Sequence, residues 1–324
     1  MTLSRISILL LSLIMSLSAL AGVYTSEADS FLMKMPQNLQ TVQAEAIKKA
    51  IGGDNTDLIS IRESRNVPYP LPASVKATDV APGLRLFSGQ SVERQDDTPL
   101  LVYFHGGGWT FGSINSCSAY CVAMAENGVS VLAVDYRLAP EHPFPEGLND
   151  CVAAVKMALD SIGAWKCGSV SVGGDSSGGN LALATAMSMP EGALRSLVLF
   201  YPVTRAYEDN SESWAQYGCG YGLDSDLMGV FNNAYTADVH NALVSPAEAP
   251  DSVLAKLPPT MIVSAERDIL CDQGRELAGR LGDIGVDVSY NLFPGAVHLF
   301  ITVAGQSKAF NDAVKLSSDF IKRQ

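Results

Sequence analysis

Positive charge is scarce in this chain. Lys and Arg number 22 against 34 Asp and Glu, a formal net charge of −12. An acidic chain is a poor partner for a phosphate backbone, so nucleic acid is disfavoured. The six cysteines (Cys117, Cys121, Cys151, Cys167, Cys219, Cys271) show no metal-ligand spacing, so neither a metal site nor a cofactor is implied. No repeat at a fixed period and no low-complexity stretch is present. The apolar run from Ile6 to Leu20 is short for a membrane span. Histidine is rare, with only His105, His142, His240 and His298, so chemistry that needs an imidazole base has few candidates. What is plentiful is apolar side chain: 47% of 324 residues are hydrophobic and 17% charged. That composition supports a sizeable core in one large α/β domain or two ordinary ones.

Arg5, the apolar Ile6 to Leu20 and the small-residue Ala19-Leu-Ala21 predict a signal peptide over residues 1–21, cleaved after Ala21. The protein is then exported, to the periplasm or the medium, with no stable membrane span in its processed form. An uncleaved anchor is the alternative. No cysteine follows the small residues, so a lipid anchor is not indicated. In an oxidising compartment six cysteines permit up to three disulfides. Cys117 and Cys121 are poor partners, because residues four apart on a helix hold their Cβ atoms about 5–6 Å apart, against about 3.8 Å in a disulfide. Burial as small apolar groups is the other use for these thiols.

Residues 22–52 read as an amphipathic helical arm, with Phe31, Leu32, Met35, Leu39, Val42, Ala46 and Ile47 near a 3.6 period. Leu58 to Arg62 and Gly83 to Phe87 read as short strands around a proline-rich loop. From there strands and helices alternate. Strands are expected at Pro99–Phe104, Val129–Asp135, Val170–Gly174, Leu194–Tyr201, Pro259–Ala265 and Val286–Phe293. Helices are expected at Ser116–Asn127, Glu146–Ile162, from Leu181, from Glu266 and over Ser307–Lys322. The rhythm predicts a mostly parallel sheet with helices on both faces. Residues 203–256 break it with a polar and aromatic insertion, and an insertion of that length in a compact core is usually functional.

Chemistry concentrates in three places. The stretch Gly168 to Asn180 runs from a β-branched strand through Gly174-Asp-Ser-Ser-Gly178 into an apolar helix. Strand, Gly-x-Ser-x-Gly and helix in that order form the context of a nucleophile elbow, which pushes Ser176 out above the strand end. Upstream, a buried strand runs into His105-Gly-Gly-Gly-Trp109. Three glycines there imply close backbone approach to something. A serine hydroxyl needs a base. His298, just past a strand's carboxyl end, fits the order Ser, Asp/Glu, His. His240 is the runner-up; His105 is read as a brace and His142 as part of a structural loop. The acid is assigned to Asp268, immediately after a strand end, with Glu266 and Asp272 as alternatives. The loop from Asp135 to Pro145 is read as structural, with Arg137 and the carboxylates Asp135 and Glu141 expected to tie it to its neighbours.

His105-Gly-Gly-Gly, Asp135-Tyr-Arg-Leu-Ala-Pro-Glu-His-Pro-Phe-Pro145 and Gly174-Asp-Ser-Ser-Gly-Gly, in this order, resemble the hormone-sensitive-lipase-like family of α/β-hydrolase esterases. The likeness is specific over residues 99–302. It implies an α/β-hydrolase fold with a helical cap built from residues 22–52 and 203–256. It implies catalysis by Ser176, Asp268 and His298, and an oxyanion hole formed by the N–H groups of Gly107, Gly108 and Ser177. Ser177 is a departure, since the family usually has Ala there. The expected activity is hydrolysis of short- to medium-chain carboxylic esters, with Trp109 and Phe111 at the substrate mouth and a small ester as the partner. Deacetylation of an acetylated polysaccharide is the alternative. A non-catalytic ligand receptor on a hydrolase scaffold ranks lower, because all three triad residues are present.

Overall fold

The computed structural model describes residues 24–90 and 97–324. The expected signal peptide lies outside the described residues. The chain enters through three helices, α1 (24–34), α2 (Leu39–Ile51) and α3 (Thr56–Arg65). α3 overturns the expected strand at Leu58–Arg62. Ile59 and Ile61 favour a strand locally, but the segment buries Leu58 and turns Arg62 inward one helical turn later, which a helix does and an alternating strand does not.

Eight strands then form one sheet: β1 (Val75–Ala81), β2 (Leu84–Gly89), β3 (Thr98–Phe104), β4 (Ser130–Val134), β5 (Cys167–Asp175), β6 (Leu197–Phe200), β7 (Thr260–Arg267) and β8 (Val288–Val297). Their spatial order is β1-β2-β4-β3-β5-β6-β7-β8. β1 and β2 pair antiparallel, as do β2 and β4, and every later pairing is parallel. The result is an α/β-hydrolase sheet with an antiparallel edge.

Continuous apolar strands need cover on both sides, and the core is divided accordingly. Leu100, Val102 and Phe104 of β3 join one cluster with β5, α5 (Glu146–Ser161), α6 (Ser177–Ser188) and α10 (Cys271–Asp283). Leu101 and Tyr103 point the other way, into a second cluster with α4 (Ile114–Glu126) and α11 (Ser307–Arg323). A capping box between Ser113 and Ser116 starts α4. The parallel strands all end at one edge of the sheet. Over that edge lie the entry helices and α7 (Glu212–Tyr217) and α8 (Ser225–Tyr235), with a short α9 (Asp251–Leu254) leading back into β7. Among the described residues no helix is long and apolar enough to cross a membrane.

No two of the six cysteines are joined in a disulfide. The sulfurs of Cys117 and Cys121 stand 3.8 Å apart on α4, well beyond the 2.05 Å or so of a disulfide. Five of the six are buried, so they serve as small apolar groups. Arg137, Asp135 and Glu141 each tie their loop to a neighbouring helix. Arg137 pairs with Glu146 and Asp150 at the start of α5. Asp135 accepts the Ile114 N–H at 2.5 Å, and Glu141 pairs with Arg62.

Candidate active site

β5 ends at Asp175 and α6 begins at Ser177, leaving Ser176 alone in the bend. Its φ of 56° and ψ of −121° lie where few side-chain-bearing residues go, a strain of order 1–3 kcal/mol that the surroundings must hold. They do so through the Ser176 N–H, which donates to Phe200 O at 2.9 Å. The neighbouring glycines are needed for space: a methyl at Gly178 would strike the carbonyls of Phe104 and His105.

The bend lifts Ser176 Oγ to 3.1 Å from His298 Nε2. His298 Nδ1 lies 2.5 Å from Asp268 Oδ2. All three are buried, with relative exposures of 7% for Ser176, 1% for Asp268 and 1% for His298. With Nδ1–H donating to the carboxylate, Nε2 is left as the acceptor for the serine hydroxyl. Asp268 Oδ1 accepts from Leu270 N–H at 3.0 Å, which fixes the carboxylate plane. Gln306 fixes the histidine loop by donating to the carbonyls of Val297 (3.1 Å) and His298 (3.0 Å) and accepting from Val297 N–H (3.0 Å). The Tyr201 ring rests 4.3 Å from the imidazole.

The other candidates for base and acid are engaged elsewhere. His105 stacks on Tyr136 at 4.4 Å and its Nδ1 meets Gly106 O at 2.9 Å; burial pushes its imidazole down. His240 is exposed and pairs with Glu248 at 3.0 Å. His142 is exposed in the Asp135–Pro145 loop. Glu266 belongs to β7, not to a helix, and accepts from Gly295 N–H at 2.5 Å. Asp272 accepts from Ser213 N–H at 2.9 Å and pairs with Arg275.

The glycine loop runs beside the elbow. Gly107 has φ 126° and Gly108 φ 59°. The Gly107 carbonyl is turned inward to accept from Thr110 N–H (3.1 Å) and Phe111 N–H (2.8 Å). Ser177 opens α6, where the first amides have no acceptor within the helix. Arg62 of α3 supports the far side of the loop, donating to Thr110 O and Ala139 O, both at 2.8 Å. Trp109 and Phe111 are buried behind the loop instead of standing open at a mouth. Trp109 stacks flat on Tyr235 at 4.3 Å, and Phe111 meets Phe231 edge to face at 6.0 Å. Both partners belong to α8, whose Phe231 ring lies directly on Gly108.

Asp175 has a place in this site that its motif alone does not reveal. Its Oδ1 accepts from Tyr103 OH (2.9 Å) and Gly106 N–H (3.0 Å), while Oδ2 is buried without a protein partner among the described residues. Burial pushes its carboxyl up to about 6, against the lowering effect of those two hydrogen bonds. The signal for it in the sequence is the variable position of Gly-x-Ser-x-Gly, filled by an acid just where a strand ends.

A serine in a strand-to-helix bend, in contact with a histidine and an aspartate from later strand ends of this sheet, defines the chain as an α/β-hydrolase. A family model for the alpha/beta hydrolase fold matches residues 101–302. The carboxylic ester hydrolase LipN of Mycobacterium tuberculosis is 35% identical over 235 residues. That match spans 67% of this chain and 62% of LipN, less than two thirds of its length. An arylesterase of Saccharolobus solfataricus is 31% identical over 82% of this chain and 83% of its own. The structure of a hyperthermophilic esterase from Pyrobaculum calidifontis superposes with a TM-score of 0.74 at 28% identity, covering 91% of this chain and 96% of that one. The chain belongs to the hormone-sensitive-lipase-like family of α/β-hydrolases.

Proposed function

We propose that this protein is a serine carboxylesterase that hydrolyses small carboxylic esters through an acyl-enzyme. The observation that carries the reading is the unbroken contact from Ser176 Oγ to His298 and on to Asp268. Ser176 attacks the ester carbonyl carbon as its proton passes to His298 Nε2. Asp268 holds the imidazole in the right tautomer and stabilises its charged form. The carbonyl oxygen, now carrying the negative charge, is received by the N–H groups of Gly107, Gly108 and Ser177; one such donor is worth roughly 3–4 kcal/mol of barrier. Collapse breaks the bond to the alcohol oxygen, which takes the proton from His298. Water then adds to the acyl-serine by the same route, and the carboxylic acid and the serine hydroxyl are regenerated.

Short acyl or alcohol groups suit the site, since α8 lies close over the glycine loop with Phe231 on Gly108. Export belongs to the same reading, on the sequence of residues 1–21. Three side chains in working contact favour hydrolysis over a binding-only role. The test is Ser176→Ala assayed on p-nitrophenyl esters of increasing chain length. The expected result is loss of all turnover beyond the residual that oxyanion donors and binding supply, with the fold retained, and in the wild type a preference for acetate and butyrate. Wild-type-like turnover in the variant removes Ser176 from the mechanism.

A further inference from the structure

β7 and β8 fall out of step where they reach the site. Ala265 pairs with Phe293 and Arg267 with Val297, so β8 uses four positions where β7 uses two. The extra residues form a bulge, and a bulge leaves backbone groups unmatched by the ladder while re-aiming the residues beyond it. The first residue beyond β8 is His298. The two residues of β7 beside the bulge capture both polar groups of Gly295. Glu266 accepts its N–H at 2.5 Å, and Arg267 Nε donates to its carbonyl at 2.9 Å.

Arg267 does more than fill a bulge. Its Nη1 donates to Asp29 of α1 at 2.8 Å, and its guanidinium lies 5.9 Å from the ring centre of Tyr221, in the segment between α7 and α8. α1 also presses on the bulge directly. Gly295 has φ 78°, and a Cβ there would collide with Thr25. Ala28 and Phe31 of α1 pack on Val297, the residue before His298. Four parts of the chain thus meet at one side chain: the strand that delivers Asp268 at the next position, the bulge that delivers His298, the entry helix, and the segment reaching over the edge. A planar fork with several fixed donors suits such a junction; an ammonium does not reproduce it.

On the reading of Ser176, His298 and Asp268 as a hydrolytic triad, we propose that Arg267 is a positioning residue. It locks the bulge before His298 to the strand carrying Asp268, with α1 seated on it through Asp29, and so holds the imidazole at its working distance from both partners.

The test uses Arg267→Met, Arg267→Lys, Asp29→Asn and the Arg267→Met/Asp29→Asn double variant of the full chain. Displacement of a catalytic group by a fraction of an ångström acts on turnover more than on binding. Arg267→Met is therefore expected to lose about tenfold in kcat with KM within about twofold of wild type. Arg267→Lys should recover part of the loss. Asp29→Asn should show a smaller loss that vanishes in the Arg267→Met background, because both act through one junction. Titration with a fluorophosphonate should still label one serine per molecule in every variant. The downfield imidazole N–H proton resonance, assigned by its absence from His298→Gln, should shift or broaden in Arg267→Met. Unchanged kcat, a loss that merely tracks the labelled fraction, additive losses, or an unmoved resonance each overturn the proposal. If the wild type neither hydrolyses esters nor takes the label, the esterase reading fails instead, and the resonance alone still decides whether Arg267 sets the histidine's geometry.

Discussion

Asp175 closes β5 one position before Ser176, with its carboxylate enclosed and one oxygen lacking a partner among the described residues. Its folded value is raised from 3.8 to about 6, first by burial. An acid whose folded value exceeds its unfolded one binds its proton more tightly in the folded state. Its stability contribution is therefore greatest below the unfolded value and is lost as pH rises through the folded one. The size of the shift corresponds to on the order of 3 kcal/mol. Asp175→Asn keeps an acceptor for Tyr103 and Gly106 and removes the ionisation. Urea unfolding of the two proteins should show the variant gaining by that order relative to wild type between about pH 4 and pH 7. Parallel pH curves would show that Asp175 is not buried as a charge. At this scale much of the site is legible in the sequence: Ser176, Asp268 and His298 are each marked by motif or by position after a strand end. The site's supporting residues are less visible. Nothing local marks Gln306 or Arg267, whose partners lie at Val297 and His298 in one case and at Asp29 and Gly295 in the other. The burial of Asp175 likewise depends on Tyr103, 72 positions away.

The meeting of α8 with the glycine loop is the contact most open to test between elements. Gly108 sits at φ 59° beneath the Phe231 ring. Gly108→Ala adds left-handed strain and a collision with a buried aromatic, together about 3 kcal/mol or more of lost stability. In a Phe231→Ala background the same change should cost only about 1 kcal/mol, since only the backbone term is left. Urea unfolding of the four proteins measures it; simple additivity would mean that ring and loop do not touch. Two elements are poorly marked in the sequence. α3 resembles a strand because Ile59 and Ile61 alternate; its true register is set by the distant Thr110 and Ala139 carbonyls that Arg62 serves. β1 carries little signal because its seven residues are mostly exposed or half-buried, and an edge strand of mixed polarity leaves no clear alternation.

For the molecule as a whole, the architecture is readable because its parallel strands are buried on both faces and so stand out as plain apolar runs. Thiol pairing is not readable, since it depends on distances that spacing does not fix. With no disulfide among the six cysteines and only Cys219 exposed, dithionitrobenzoate should titrate one thiol in the native protein and six after denaturation, and reducing agent should leave the melting temperature unchanged. Five or fewer thiols after denaturation would show that a bridge forms.

The two ends of the described chain leave from different sides. Tyr24 stacks on Phe293 at 5.2 Å and bonds Asp312, against the strand that runs on to His298. Lys322, two residues before the last, donates to Asn127 O at 3.2 Å, next to the start of β4. A purification handle or immobilising tether fused just ahead of Tyr24 would crowd the histidine's support, whereas one fused after Gln324 departs from the opposite rim. Anyone fixing this protein to a surface should hold it by its tail.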